Sequence, residues 1–165
     1  MRTWGHAGPL EGMVRRLTSL GEWGAVWTGA ALAAAAADSE RRDRWLRAAA
    51  IPVAAVGANY AVKLIVRRRR PELEGLPPLA GAPSKLSFPS AHATSSFAAA
   101  TALGRIAPEA RPGLYAGAAA MALTRPYLGM HYPSDVVGGA ALGLVLGQLA
   151  PGLENGAGPA RSQRP

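Results

Sequence analysis

The sequence predicts an all-α protein folded as a polytopic membrane bundle of about five transmembrane helices. Three observations support this fold class. The 165 residues contain five apolar stretches of about 16 to 21 residues, each close to the roughly 20 residues that cross a hydrocarbon core. Charged or Pro- and Gly-rich segments separate the stretches. Ala and Gly dominate within them, and such small residues let helices pack closely in lipid.

The stretches also set the expected domain boundaries. They run over residues 17–37, 48–66, 89–106, 112–128 and 135–150. We therefore expect an N-terminal segment over 1–16, one membrane domain over 17–150, and a disordered tail over 151–165. The tail is assigned as disordered because its composition shows no hydrophobic periodicity.

A soluble helical bundle is the alternative fold. Such a bundle needs a polar stripe along the outer face of each helix. The last stretch offers only Gln148 after Asp135, and the second offers only Asn59, Tyr60 and Lys63. Neither pattern provides a solvated face, so the membrane interpretation is favoured.

Composition restricts the chemistry and the partners. The chain has no cysteine, which excludes disulfides, thiol catalysis and cysteine-ligated metals. Its net charge of +8 suits anionic partners such as phosphorylated substrates or acidic lipids. A nucleic-acid partner is not expected, because the run of four arginines at 67–70 that would suggest one lacks interleaved aromatic residues and a soluble face.

The order of crossings predicts that three polar clusters meet at one membrane face. If all five stretches span, the segment after the second and the segment between the fourth and fifth emerge on the same side. Six polar residues lie within these two segments or near the adjoining ends of the apolar stretches. They are Lys63, Arg70, His92, Arg125, His131 and Asp135. More than 70 positions separate the first from the last, so their convergence points to a functional site.

The first cluster is the sequence KLIVRRRRP. Lys63, Arg67 and Arg70 recur at helical spacing and are expected on one face, with the helix ending about Arg70 before the proline. Lys63 lies inside an apolar stretch, where a cation usually has a functional partner. Arg68 and Arg69 are interpreted as contacts to anionic lipid headgroups.

The second cluster is PSAH, at the start of the third stretch. Pro89 and Ser90 are typical of a helix start, with Ser90 as the N-cap. Unpaired amides in a first helical turn bind anions, and His92 would project close to such an anion. A purely structural role for a lone histidine at this position is the alternative.

The third cluster is TRPYLGMHYPSD. Arg125 offers a planar fork suited to phosphate. Asp135 follows His131 by four residues and would hold one ring nitrogen, leaving the other as a base or nucleophile. A structural hydrogen bond is the alternative for this pair. Two histidines and one aspartate among cations make a poor divalent-metal site, so no metal is expected.

Together, the motifs K-x6-R-P, P-S-A-H and R-x5-H-x3-D resemble the three signatures of the type 2 phosphatidic acid phosphatase (PAP2) superfamily. The resemblance extends from about Ala48 to Ala150. It implies a helical core similar to that of PAP2 phosphatases and vanadium haloperoxidases, formed by the 17–150 domain.

The resemblance implies how phosphate is bound. Lys63, Arg70 and Arg125 would bind the phosphate oxygens, and Ser90 and the amide of Ala91 would add hydrogen bonds. The family usually has glycine where Ala91 stands. Glycine's particular benefit is at positive φ, so we expect alanine to be tolerated if this residue has helical dihedral angles.

The resemblance also implies the catalytic roles. His131 would attack phosphorus and form a phosphohistidine, Asp135 would orient its ring, and His92 would protonate the leaving oxygen. Neither a metal nor another cofactor would take part. Thr124 stands where the family usually has serine and keeps the hydroxyl.

A lipid phosphate at the plasma membrane is the substrate that the resemblance implies. Candidates are phosphatidic acid, phosphatidylglycerol phosphate and polyprenyl phosphates, diphosphates or phosphosugars such as decaprenylphosphoryl-phosphoribose. The active site is expected on the extracytoplasmic side of a multi-pass protein. Two alternatives remain: a relative of soluble acid phosphatases or haloperoxidases, and a non-catalytic lipid-binding membrane protein.

Overall fold

A computed structural model describes residues 8–72, 75, 78–82 and 84–153. Within this part the chain is all-α, with no named strand and a single isolated bridge between Arg69 and Leu86. The six helices are α1 (Gly8–Leu20), α2 (Ala25–Ala37), α3 (Arg42–Val66), α4 (Ala91–Ile106), α5 (Arg111–Tyr127) and α6 (Pro133–Leu149). Short 3₁₀ turns, Glu22–Gly24 and Pro108–Ala110, precede α2 and α5. The predicted all-α bundle is confirmed.

Helix α4 lies at the centre of the bundle, packed against α3, α5 and α6. Most of its residues are buried, and most are Ala, Ser or Thr. The small side chains let a glycine stripe of α6, Gly139, Gly143 and Gly147, rest on the α4 backbone. A Cβ at Gly139 would lie 2.6 Å from the carbonyl oxygen of Ser90. This close packing is typical of helices that associate through small residues in lipid.

The first predicted stretch forms two helices instead of one. The chain breaks between α1 and α2, where Trp23 has φ 55° and Gly24 has φ 75°. A Cβ at Gly24 would lie 2.6 Å from the Cβ of Pro52, so a close approach to α3 accompanies the break. The prediction of one continuous helix over 17–37 is therefore wrong. Helix α1 begins at Gly8, within the segment expected to precede the domain.

Helix α3 begins earlier and ends earlier than the sequence predicted. It starts at Arg42 and stops at Val66, because Arg67 adopts a left-handed conformation with φ 54°. The predicted helical face shared by Lys63, Arg67 and Arg70 is therefore wrong, since the last two lie beyond the helix. The predicted N-cap of α4 is confirmed: the side chain of Ser90 accepts a hydrogen bond from the amide of Ala93.

Arginines close the end of the bundle opposite the predicted site. Arg105 donates to the carbonyl oxygens of Gly147, Gln148 and Ala150 at the end of α6. These carbonyls have no partner within their own helix. Leu153 is fully buried in the same region, so the first residues after α6 pack against the bundle. Residues 154–165, the rest of the predicted tail, lie outside the described part of the chain.

Helix α3 is the one described helix that is both long and apolar enough to cross a membrane, and α6 is apolar but shorter. Large apolar side chains point outward from several helices. On α3, α5 and α6 these include Val53, Leu64, Ile65, Leu123, Val137 and Val145. Exposed apolar side chains on the outside of a bundle are typical of contact with lipid.

Candidate active site

One cavity of about 450 Å³ opens where α3, α4 and α5 end or begin at the same face. Six of the eight predicted site residues line it: Lys63, Arg70, Ala91, His92, Arg125 and His131. Ser90 and Asp135 are fully buried behind the wall. The structure thus brings residues from all three sequence motifs to one place.

His131 is held between a carboxylate and a cation. Its Nδ1 lies 3.5 Å from Oδ2 of Asp135, and its Nε2 lies 3.1 Å from Nη1 of Arg70. A guanidinium only donates hydrogen bonds, so Nε2 must accept and carries its lone pair toward Arg70. The proton of the neutral ring then sits on Nδ1, facing the carboxylate. The 3.5 Å separation is longer than an ordinary hydrogen bond, and Nδ1 has no closer partner in the described residues.

The loop between α5 and α6 sets the position of His131. Gly129 has φ 72°, which lets the chain reverse directly after α5. The amide of Met130 then donates to the carbonyl of Arg125 at 3.0 Å, and the amide of Tyr132 donates to Oδ2 of Asp135 at 2.9 Å. Asp135 thus caps α6 while its carboxylate faces the histidine ring.

Burial lowers the pKa of His131 to about 4, although the neighbouring carboxylate of Asp135 acts in the opposite direction. The nearby charges of Arg70, Arg125 and Lys63 lower it further. An imidazole with this pKa is neutral at pH 7. The ring is therefore neutral and keeps a lone pair on Nε2, which accepts from Arg70 in this structure.

Arg68 is a site residue that the sequence reasoning missed. Its Nη1 donates to Oδ1 of Asp135 at 3.0 Å and to the hydroxyl of Ser134 at 2.8 Å. The guanidinium also lies over the ring of Tyr132, 4.1 Å from the centroid. The interpretation of Arg68 as a lipid-headgroup contact is therefore wrong for this side chain. In a run of four arginines, the neighbouring residues do not show which side chain contacts the site.

Lys63 is buried at the end of α3 and joins two segments of the site. Its ammonium donates to the carbonyl oxygens of Leu86 and Ser87 at 3.3 and 3.1 Å. One turn earlier, the amide of Asn59 donates to the carbonyl of Pro89 and to the hydroxyl of Thr94. Polar groups of α3 therefore fix the start of α4.

The start of α4 places Ala91 at the cavity and Ser90 behind it. The amide of Ser90 donates to the carbonyl of Asp135 at 2.9 Å, and the Ser90 hydroxyl accepts from the amide of Ala93. Ser90 therefore caps the start of α4 and joins it to the start of α6, and it does not line the cavity. Ala91 is not among the residues with positive φ, so the methyl group needs no strained backbone.

His92 and Arg125 complete the cavity wall, and both contact Thr18 of α1. Nε2 of His92 lies 3.0 Å from the carbonyl oxygen of Thr18, so this nitrogen carries the proton. Nη1 of Arg125 donates to the hydroxyl of Thr18 at 2.7 Å. The Nε of Arg125 is buried without a partner in the described residues, which leaves a donor for a bound anion.

The charge of this site favours a phosphate group. The cations Lys63, Arg70 and Arg125 line the cavity, whereas the carboxylate of Asp135 lies behind His131. Phosphoryl transfer depends mainly on positioning and on neutralising charge on the phosphate oxygens. Within the described residues, no group of three or more His, Asp or Glu side chains is arranged to hold a metal ion.

Comparison with known proteins identifies the family. The family model described as "PAP2 superfamily" matches residues 44–156. A decaprenylphosphoryl-5-phosphoribose phosphatase of Mycolicibacterium smegmatis is 43% identical over 135 residues, covering 82% of this chain and 73% of the relative. The protein of the same name from Mycobacterium tuberculosis is 40% identical over 149 residues, covering 90% of this chain and 83% of the relative.

More distant relatives share parts of the chain or its fold. A lipid A 1-phosphatase of Rhizobium etli is 34% identical over 88 residues, covering 50% of this chain and 38% of the relative. The crystal structure of a transmembrane PAP2-type phosphatidylglycerolphosphate phosphatase from Bacillus subtilis superposes with a TM-score of 0.68 at 24% identity. The superposition covers 88% of this chain and 76% of that one. By its matched model, its relatives and its fold, this chain belongs to the PAP2 superfamily.

Proposed function

We propose that this protein is a membrane lipid phosphatase that works without a metal, through a phosphohistidine at His131. One observation carries the proposal: Nε2 of a buried, neutral His131, backed by Asp135, faces a cavity lined by cations. That arrangement supplies a nucleophile and charge neutralisation in the same cavity. The family of the chain and the names of its relatives support the reaction class.

The first step transfers the phosphoryl group to the enzyme. The lone pair on Nε2 of His131 attacks phosphorus, and the bond from phosphorus to the leaving oxygen breaks. The bound phosphate dianion favours the imidazolium form of His92. This cation gives a ring proton to that oxygen and becomes neutral, so the product leaves as an alcohol or a lower phosphate. Arg70 and Arg125 neutralise charge on the remaining oxygens, and Asp135 stabilises the His131 ring as it becomes cationic.

The second step returns the enzyme to its starting state. Water attacks the phosphorus of phosphohistidine while the now neutral His92 removes one of its protons. The bond between phosphorus and nitrogen breaks, and its electron pair returns to Nε2 of His131. Inorganic phosphate leaves. All protons and electrons balance without a redox partner.

A polyprenyl-linked phosphosugar is the substrate that we propose. Two relatives with 40% or greater identity carry the name decaprenylphosphoryl-5-phosphoribose phosphatase. The cation-lined cavity lies at the end of helix α3, which is long and apolar enough to cross a membrane. A phosphate on a lipid headgroup could therefore enter the cavity while the polyprenyl chain stays in the hydrocarbon.

We further propose that α2 to α6 cross the membrane, with the site on the extracytoplasmic face and α1 lying at that surface. The outward-facing apolar residues of α2, α3, α5 and α6 support this arrangement. The chain has no native cysteine. A single introduced cysteine therefore shows on which side of the membrane its position lies. Lys85→Cys should react with an impermeant maleimide in intact cells, and Ser39→Cys only after lysis. The reverse pattern would place the site in the cytoplasm.

A phosphate-release assay in detergent with EDTA tests the function. The panel is decaprenylphosphoryl-5-phosphoribose, phosphatidic acid, phosphatidylglycerol phosphate and decaprenyl diphosphate. We expect release in EDTA, fastest from the phosphosugar, and none from His131→Ala. Loss of activity in EDTA would contradict a metal-free reaction, and binding of lipid without any release would contradict an enzyme.

A further inference from the structure

Thr18 lies outside all three sequence motifs and contacts two residues of the site. It is buried, with 5% of its surface exposed. Its hydroxyl is 2.7 Å from Nη1 of Arg125 and 3.0 Å from the hydroxyl of Thr124. Its carbonyl oxygen is 3.0 Å from Nε2 of His92. One residue thus touches a proposed phosphate ligand and the proposed proton donor through different atoms.

The direction of each hydrogen bond in this cluster follows from the chemistry of the groups. The hydroxyl of Thr124 donates its one hydrogen to the carbonyl of Met121 at 2.6 Å, so it must accept from Thr18. The Thr18 hydroxyl donates to Thr124 and therefore offers a lone pair to Arg125. The guanidinium is thereby held at Nη1, while its buried Nε has no described partner.

The carbonyl of Thr18 shows which ring nitrogen of His92 carries a hydrogen. A carbonyl oxygen only accepts, so the hydrogen of the ring lies on Nε2. This hydrogen bond fixes the orientation of the His92 ring in the cavity wall. The end of α1 also packs closely on this ring: a Cβ built at Gly21 would lie 2.9 Å from Cδ2 of His92 and 2.5 Å from Sδ of Met121.

Helix α1 has the pattern of a helix that rests at a membrane surface. Its apolar residues Leu10, Met13 and Leu20 are exposed, whereas Thr18 is its one buried residue. Arg15 pairs with Glu11 on the same helix. An amphipathic helix of this kind lies in the interface with its apolar side toward lipid. The helix thus brings a polar residue into the site from the membrane surface.

We propose that Thr18 is a positioning residue for phosphate transfer. Its hydroxyl orients the guanidinium of Arg125 so that Nε faces the phosphate, and its carbonyl holds the His92 ring in place through Nε2. The inference rests on the phosphatase function proposed above. Only the hydroxyl can be removed by substitution, so the test concerns Arg125.

The test compares Thr18→Val, which keeps the shape, with Thr18→Ser, which keeps the hydroxyl. The readouts are kcat/KM in the phosphate-release assay and the inhibition constant of inorganic phosphate. Thr18→Val should lower kcat/KM and raise that inhibition constant, each by about ten- to a hundredfold, because a hydrogen bond to a charged group is lost. Thr18→Ser should stay within about threefold of wild type.

Thr28→Val is the matched control, since its hydroxyl donates to the carbonyl of Ala49 away from the cavity. An inhibition constant does not depend on the fraction of folded enzyme, so it separates orientation from stability. If Thr18→Val does not fold, Thr18→Ala takes its place with the same expectation.

Three outcomes would be informative. An unchanged phosphate inhibition constant in the folded Val or Ala variant would overturn the inference, as would a Ser variant as impaired as Val. In both cases, phosphate release by the wild type would still support the proposed phosphatase function. A wild type that releases phosphate from none of the lipids would instead contradict the function on which the inference rests.

Discussion

Arg70 places Nη1 3.1 Å from Nε2 of His131. Because arginine has no acceptor, this contact shows which nitrogen of His131 carries the lone pair. The same guanidinium donates to the carbonyls of Ser84 and Met130, so its position is fixed by the backbone. The proposed nucleophile and a proposed phosphate ligand are thus held next to each other.

This relationship predicts how His131 titrates. Its pKa is lowered from 6.5 to about 4, mainly by burial and also by the charges of Arg70, Arg125 and Lys63. The neutral ring should therefore persist down to about pH 4, and loss of kcat/KM on the acid side through His131 should begin only near that value. Titration of the ring by ¹⁵N NMR in detergent measures the pKa directly.

Arg70→Gln provides the internal comparison for that titration. Removing a neighbouring positive charge should raise the pKa of His131, whereas Arg69→Gln, at an exposed position, should leave it unchanged. A wild-type pKa near 6.5, or no upward shift in Arg70→Gln, would contradict the electrostatic account.

Arg68 should support catalysis through Asp135. Replacing it with methionine removes the donor to Oδ1 and frees the carboxylate to move from His131, so we expect kcat to fall about tenfold, as for other groups that orient a functional side chain. Arg69→Met is the matched control from the same run. Equal rates in Arg68→Met and Arg69→Met would return Arg68 to a lipid-contact role.

His92 should matter in proportion to the basicity of the leaving group. An alkoxide needs a proton on departure, whereas a nitrophenolate does not. His92→Ala should therefore lower kcat about a thousandfold for octyl phosphate and about tenfold for p-nitrophenyl phosphate. The two substrates serve as controls for each other in one preparation. Equal losses on both would argue against proton donation by His92.

The contact between α4 and α6 should tolerate no side chain at Gly143. A Cβ there would meet the carbonyl oxygen of Thr94 and lie 2.9 Å from the amide nitrogen of Ala98. We expect Gly143→Ala to lower the free energy of unfolding by about 2 kcal/mol, the usual range for overpacking. Thermal unfolding in detergent measures this.

Gly29→Ala is the control for that measurement. Gly29 lies in α2, and nothing stands within 4 Å of a Cβ built there. Since alanine favours helix over glycine, this variant should be as stable as wild type or more so. Equal melting temperatures for the two variants would show that the α4–α6 packing is looser than described.

The sequence was sufficient for features set by local chemistry. Pro89 and Ser90 predicted the start of α4, and apolar length predicted α4, α5 and α6 to within about two residues at most ends. Counting crossings predicted which motifs share a face. Each of these inferences uses only neighbouring residues or the order of helices along the chain.

Features that depend on distant contacts were not predictable. The break at Trp23 accompanies a close approach of Gly24 to Pro52, and Arg68 turns inward to donate to Asp135, 67 positions away. Thr18 meets Arg125 across 107 positions. No local pattern distinguishes these residues from their neighbours.

The central claim is a covalent phosphohistidine at His131, and trapping it is the most direct test. The enzyme is mixed with ³²P-labelled lipid phosphate in EDTA, quenched within milliseconds in alkali, and digested for mass spectrometry. The account predicts label on Nε2 of His131, stable to alkali and lost in acid, with none in His131→Ala. Turnover by His131→Ala at near wild-type rate, or label on another residue, would contradict it.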